Sequence, residues 1–141
     1  MVKGFDPSSE TGREAARHLR EDVVGWLTTV SPAGQPRSSP ISFLWDGETI
    51  LFYSQPDTPK LRNIAANPRV SFHLDTDAYG DHVVILEGRA MLDEVATPSD
   101  VLREYRAKYR EPLEHWGMDE AGTARSFSVA IRIIPERFRV W

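Results

Sequence analysis

Three residues whose side chains suit phosphate binding, Ser54, Thr58 and Lys60, lie close together in the sequence. The chain around them reads as a strand end, a polar turn and a helix start, since Thr58-Pro59 is typical of a helix N-terminus. Unpaired amides and the positive dipole end of a helix stabilise an anion, and a lysine adds a full charge. The pattern therefore favours a phosphate site, and its alternative is a capped helix with an ordinary surface lysine.

The sequence contains no residue pattern that is typical of a metal site, a nucleotide loop or a catalytic nucleophile. The four histidines show no ligand spacing such as two on one helical face, so no structural metal site is predicted: His18, His73, His82 and His115. No glycine-rich nucleotide loop and no nucleophile elbow is present. No pattern places a base beside Ser54 or the Ser38-Ser39 pair, and the acidic residues are scattered. No catalytic side chain is therefore predicted.

Composition limits the class of protein. The chain has 141 residues, a net charge of -4 and no cysteine. Acidity disfavours binding of nucleic acid by a basic surface, although Lys60, Arg62 and Arg69 form a local basic group. The lack of cysteine excludes disulfides and fits a reducing compartment. With no stretch typical of a signal peptide or membrane span, a soluble cytoplasmic protein is expected, as one domain over residues 1–141.

The periodicity of apolar residues predicts mostly strands. Strands are predicted at 23–30, 36–45, 49–53, 69–76, 83–95, 126–134 and 137–141, and helices at 9–22, from Thr58-Pro59 to Asn67-Pro68, and from Thr97-Pro98. Residues 119–125 read as a connector, and Pro135-Glu136 as a break between the last two strands.

Individual residues refine this arrangement. Pro40 predicts a strand that lies at an edge or is locally bulged, Asp46-Gly47 predicts a hairpin and Gly88 a kink. The tight hairpins favour antiparallel pairing, and the helices are too few for a doubly wound parallel sheet. The expected fold is mainly β, a small closed or split antiparallel β-barrel.

The order of these segments resembles a known group of proteins. GQPRSSPISFLWDGETILFYSQ followed by TPKLRNIAANPRVSFHL is similar to the flavin and deazaflavin oxidoreductases of the pyridoxamine 5'-phosphate oxidase-like superfamily, most of all to its small F-420-dependent branch. The resemblance extends from about Ala15 to Trp141 and depends on the ordered combination, not on one motif. It implies an FMN-binding-like split β-barrel that forms a homodimer, with cofactor sites at the subunit boundary.

The resemblance also assigns cofactor-binding residues. The strand along the cofactor ring would be Arg37, Ser38, Ser39, Pro40 and Ile41. Tyr53 and Ser54 would lie near the ribityl chain, and Thr58 and Lys60 would hold the phosphate. Arg62 and Arg69 would meet the acidic tail of F-420, while Arg139 and Trp141 would close the site from the partner chain.

One departure from the superfamily affects the expected reaction. The vitamin-forming oxidases carry two adjacent basic residues in the phosphate loop, whereas Pro59 precedes the single Lys60 here, and their arginine-rich C-terminal end is missing. Oxidation of pyridoxamine phosphate is therefore not expected. The resemblance implies hydride transfer from reduced F-420 to an unsaturated small molecule. The alternatives are an FMN-dependent enzyme and a non-catalytic flavin- or haem-binding protein, with His73 as the one feature that points toward haem.

Overall fold

Seven strands and four helices make up the computed structural model, which describes residues 2–141. In chain order they are α1 (Glu10–Glu21), β1 (Gly25–Val30), β2 (Pro36–Ile41), β3 (Leu44–Trp45), β4 (Ile50–Ser54), α2 (Pro59–Ala66), β5 (Arg69–Leu74), β6 (Val84–Leu92), α3 (Ser99–His115), α4 (Glu120–Ser126) and β7 (Val129–Val140). None of these helices is both long enough and apolar enough to cross a membrane.

The strands form one antiparallel sheet in the order β2-β1-β5-β6-β7-β4-β3. The sheet curls into a half-barrel, and the predicted antiparallel split barrel is confirmed. Alternation of side chains along each strand places one set of apolar residues inside the curl. The largest fully buried side chains are Phe43, Phe52, Phe72, Phe138, Leu19, Leu27, Ile50, Leu51, Leu86, Ile131 and Ile133.

Three predictions from single residues are confirmed. β2, which contains Pro40, is an edge strand. Asp46 closes the hairpin between β3 and β4, since its Oδ1 accepts hydrogen bonds from the backbone N–H groups of Glu48 (2.8 Å) and Thr49 (2.6 Å). The ladder between β6 and β7 shifts register at Gly88, where a Cβ atom would lie 2.2 Å from the Ile134 carbonyl oxygen.

The predicted break at Pro135-Glu136 is wrong, because β7 runs through it. Pro135 lies opposite Gly88, at the register shift that already disrupts the ladder. A proline has no N–H to donate, and bulges are among the places in a sheet that tolerate this. β6 therefore remains paired with β7 over its full length, on both sides of the register shift.

Two further segments differ from the prediction. Residues 119–125 are not a connector but belong largely to α4, whose N-cap Asp119 accepts a hydrogen bond from the Gly122 amide. The strand predicted at 36–45 is divided into β2 and β3, which pair with different neighbours. At the break, the Phe43 N–H donates to the Tyr109 hydroxyl of α3 at 2.8 Å, outside the sheet.

Candidate cofactor site

The start of α2 brings together the three residues that the sequence singled out. Ser54 ends β4 and is buried, and its Oγ lies 3.1 Å from the Oγ1 of Thr58. The Ser54 hydroxyl donates to the Gln55 carbonyl at 2.8 Å. Lys60 follows in the first turn of the helix. Two hydroxyls and a lysine therefore lie at the N-terminal end of one helix.

Lys60 is half-buried and carries the charge of this group. Desolvation lowers the pKa of its ammonium, and no carboxylate acts against that effect. Among residues 2–141, no acidic side chain lies within ion-pair distance of the Lys60 Nζ. A partly desolvated cation without a counter-charge is stabilised by an anion.

The predicted capping role of Thr58 is wrong. Its backbone has the extended conformation of an N-cap residue, but its hydroxyl makes no capping hydrogen bond to α2. The hydroxyl lies beside Ser54 instead. No side chain therefore caps the N-terminal end of α2, where the helix dipole favours an anion. A phosphate group at this end fits the hydrogen-bond donors that surround it.

The five predicted ring-binding residues lie along β2. Arg37, Ser38 and Pro40 are exposed, Ser39 is half-buried and Ile41 is buried. The register places Arg37 opposite Thr29 and Ile41 opposite Gly25. Since Thr29 contacts α2, the Arg37 end of the strand is the end nearer α2.

Tyr53 and Ser54 were both predicted near the ribityl chain, but they point to opposite faces of β4. Ser54 faces inward toward Thr58. The Tyr53 hydroxyl lies 2.6 Å from the Thr97 Oγ1, and its ring packs edge-on against Tyr105 of α3 at 5.3 Å. Adjacent residues of a strand alternate in direction, so only Ser54 joins the group at α2 within one chain.

The two arginines predicted for the F-420 tail differ in how they are held. The Arg62 Nη1 donates to the Asp57 carbonyl at 2.6 Å, which fixes its side chain against the turn before α2. Arg69 begins β5 and is exposed. Arg69 is therefore the more available of the two for an acidic ligand group.

The two C-terminal residues lie away from α2 in the same chain. Arg139 forms an exposed ion pair with Glu87 at 3.2 Å. Trp141 is 61% exposed and hydrogen-bonds to Val83, before the start of β6. Their contact with the site from a partner chain stays a prediction.

Two polar residues at this site were missed by the sequence analysis. The Asn63 Nδ2 donates to the Thr29 Oγ1 at 3.1 Å, and both residues are buried. This bond fixes α2 against β1. Asn63 takes an inward position of α2 beside the buried Ile64, whereas the apolar Ala65 is exposed. The only feature of the sequence that could have indicated this contact is the polar Asn63 next to the apolar Ile64.

Comparison with known proteins agrees with this architecture. The family model for pyridoxamine 5'-phosphate oxidase matches residues 12–141. General stress protein 26 of Bacillus subtilis (strain 168) is 31% identical over 126 residues, which cover 86% of this chain and 81% of that protein.

Two solved structures share the fold. The conserved hypothetical protein Rv2991 from Mycobacterium tuberculosis has a TM-score of 0.70 at 27% identity, covering 99% of this chain and 89% of that chain. An F420 reductase has a TM-score of 0.68 at 24% identity, covering 86% of this chain and 93% of that chain. The match of the family model along almost all of the sequence, together with the 31% identity to general stress protein 26, shows that the chain belongs to the pyridoxamine 5'-phosphate oxidase family.

Proposed function

We propose that this protein is a coenzyme F-420-dependent oxidoreductase that transfers a hydride to an unsaturated small molecule. The observation that carries the proposal is the half-buried Lys60, which has no acidic partner and lies at a helix start that no side chain caps. Such a position suits the phosphate of a flavin or deazaflavin cofactor. The fold shared with an F420 reductase supports the deazaflavin as the cofactor.

The side chains at α2 would bind the cofactor phosphate directly. Lys60 supplies a charge-assisted hydrogen bond, and the hydroxyls of Ser54 and Thr58 supply neutral ones. Asn63 holds the helix against β1 and so keeps these donors in position. A bound deazaflavin would supply two-electron hydride chemistry, and the residues of β2 would hold and orient its ring.

The preference for F-420 over FMN rests on groups beyond the phosphate. F-420 continues into a carboxylate-bearing tail, and FMN does not. Arg69, exposed where the chain leaves α2, is the basic residue available to such a tail. FMN dependence remains the alternative within the fold. Haem binding through His73 is less favoured, since this ring stacks on Trp26 and its Nδ1 lies 3.1 Å from the Leu74 carbonyl.

Titration of the purified protein with F-420, FMN and haem separates these candidates. We expect F-420 to bind most tightly, and reduced F-420 to support reduction of an electron-poor alkene. FMN that co-purifies, binds more tightly and is reduced by NADPH in catalytic cycles would overturn the proposal. Tight binding of haem alone would place the protein among non-catalytic binders.

The double variant Arg62→Gln/Arg69→Gln should weaken binding of F-420 and leave binding of FMN nearly unchanged. Exposed charge pairs contribute about 0.2–1 kcal/mol each, so the loss for two pairs should be roughly two- to thirtyfold, and salt should reduce it. Because Arg62 is already bonded to Asp57, Arg69→Gln alone should account for most of the effect. Fluorescence titrations measure both affinities, and Arg103→Gln on α3 is the matched control. An equal loss for FMN would contradict the assignment of the tail.

We also propose that the protein is a homodimer. The outer side of the sheet leaves apolar side chains in contact with solvent, among them Ile134 (41% exposed) and Met91 (45% exposed). The half-buried Trp26 and Ile85 lie on the same side of the sheet. A second copy of the chain would cover this surface and would bring Arg139 and Trp141 near a cofactor site.

Light scattering at micromolar concentration should therefore give twice the 16.0 kDa mass of one chain. Replacing Ile134 with Lys should shift the equilibrium toward the monomer, because it places a charge in the proposed interface. Ala107→Lys, on the exposed surface of α3, is the control. A 16.0 kDa species over a wide dilution range would contradict the dimer.

A further inference from the structure

A cavity of about 530 Å³ lies between α1, the loop before β6 and the C-terminal Trp141. None of the residues that line it belongs to α2; Trp141 alone among them is also assigned to a cofactor site, that of the partner chain in the proposed homodimer. Glu14, His18 and His82 line it together, and each offers one ligand atom within 4.8 Å of the others. Two imidazoles and a carboxylate are common ligands of divalent transition metals.

Two of the three distances between these atoms are close to those of a coordination sphere, and all three atoms lie within 4.8 Å of one another. The His18 Nε2 lies 3.3 Å and the His82 Nδ1 lies 3.9 Å from the Glu14 Oε1. Ligand atoms bound about 2.0–2.2 Å from a tetrahedral zinc ion are roughly 3.3–3.6 Å apart. The first pair already has this spacing, and the second needs a shift of a few tenths of an ångström in the side chain of the exposed His82.

Hydrogen bonding leaves His18 in a state suited to a metal. Its Nδ1 lies 3.1 Å from the Asp22 Oδ1, and a carboxylate at that distance favours the tautomer with the proton on Nδ1. The Nε2 then carries the lone pair. It is buried and has no hydrogen-bond partner. Metal-bound histidines commonly donate their other ring N–H to a carboxylate in this way.

His82 has a similar acidic neighbour. Its Nε2 lies 3.9 Å from the Asp77 Oδ2. The other carboxylate oxygen of Asp77 accepts hydrogen bonds from the backbone N–H groups of Tyr79 and Asp81, each at 2.9 Å. The loop therefore holds a carboxylate behind His82, as the end of α1 holds Asp22 behind His18.

The charges around the cavity favour a cation. Glu10 and Asp81 also line it. Arg17 is the opposing charge: it bonds to both carboxylate oxygens of Glu14, with its Nε 3.3 Å from the Oε2. Each carboxylate oxygen can accept two partners, so the Glu14 Oε1 keeps a lone pair for a metal ion beside its contact with Arg17.

We propose that Glu14, His18 and His82 bind one divalent transition-metal ion such as Zn²⁺, with its fourth position open to the cavity. Glu14 and His18 share a face of α1 because they are four residues apart. The third ligand comes from a distant loop, which is why the spacing of histidines in the sequence gave no sign of the site. The rival interpretation is a set of ion pairs around a protonated His18.

Calorimetric titration of the metal-free full-length protein with Zn²⁺ tests the proposal. We expect one ion per chain and no competition from Mg²⁺, which prefers oxygen ligands. His82→Gln, which changes an exposed loop side chain, should weaken binding at least tenfold. Asp22→Asn should weaken it roughly ten- to a hundredfold through the orientation of His18. Co²⁺ in place of Zn²⁺ should give visible absorption bands that His82→Gln abolishes.

His115→Gln is the matched control, because it removes an exposed histidine outside this cluster. It should leave Zn²⁺ affinity unchanged. No binding to the parent protein would overturn the proposal in favour of the ion pairs. Equal weakening by His82→Gln and His115→Gln would also overturn it, since it would indicate nonspecific binding to surface histidines. Circular dichroism checks that each variant folds.

Discussion

Lys60→Ala should lower the affinity for F-420 and for FMN by roughly ten- to more than a hundredfold, without unfolding the protein. A hydrogen bond to a charged group contributes about 1.5–3 kcal/mol, which corresponds to this range of affinity. Both cofactors should be affected, because both present a phosphate to α2. Folding should be preserved or slightly improved, since the substitution removes a half-buried charge that no carboxylate neutralises. Fluorescence titration and thermal unfolding measure the two effects.

Two other variants show whether the loss of affinity in Lys60→Ala comes from the missing charge or from a change in structure. Lys60→Arg keeps the cation and should retain most of the affinity, while Lys3→Ala removes an exposed lysine elsewhere and should change nothing. Because burial lowers the pKa of Lys60, the protein should lose cofactor affinity at a lower pH than it would with an exposed lysine. The Lys60→Arg variant should keep its affinity at that pH, since a guanidinium stays protonated. Unchanged affinity of Lys60→Ala for both cofactors would contradict the proposal that the start of α2 binds the cofactor phosphate.

Tyr109→Phe should destabilise the fold by about 1–3 kcal/mol, because it leaves the buried Phe43 N–H without a partner. The Tyr109 hydroxyl accepts from the Phe43 N–H at 2.8 Å and lies 2.6 Å from the Val23 carbonyl, to which it donates. It joins α3 to the break between β2 and β3 and to the segment before β1. Differential scanning calorimetry should show a fall in Tm of roughly 4–12 °C, since one kcal/mol corresponds to about 4 °C at this chain length.

Tyr79→Phe is the control for this prediction. The Tyr79 side chain is 92% exposed, so loss of its hydroxyl should leave Tm unchanged. A similar Tm for Tyr109→Phe and the parent protein would show that water replaces the hydroxyl at Phe43. Because Tyr109 is on α3 and not at the start of α2, cofactor affinity of the folded Tyr109→Phe variant should remain close to that of the parent.

The sequence predicted those features whose causes lie within a few residues. Proline and small polar residues set the start of α2, Asp46-Gly47 set the hairpin, and Gly88 marked the bulge, because each depends on local backbone conformation and nearby hydrogen bonds. Alternation of apolar residues predicted the strands, and the tight hairpins and the small number of helices predicted an antiparallel barrel. Even so, Pro135 was misread as a break, since its tolerance depends on Gly88 in another strand.

The residues of the two candidate sites also divide into those that the local sequence indicates and those that only the tertiary structure brings together. Ser54, Thr58 and Lys60 could be recognised together because they are close in the sequence and share one helix start. Only the tertiary structure decided that Thr58 contacts Ser54 instead of capping α2, that Asn63 reaches Thr29, and that His82 joins Glu14 and His18. These contacts join segments far apart in the chain, and their geometry depends on strand register and on packing against the core, which no local pattern of residues specifies.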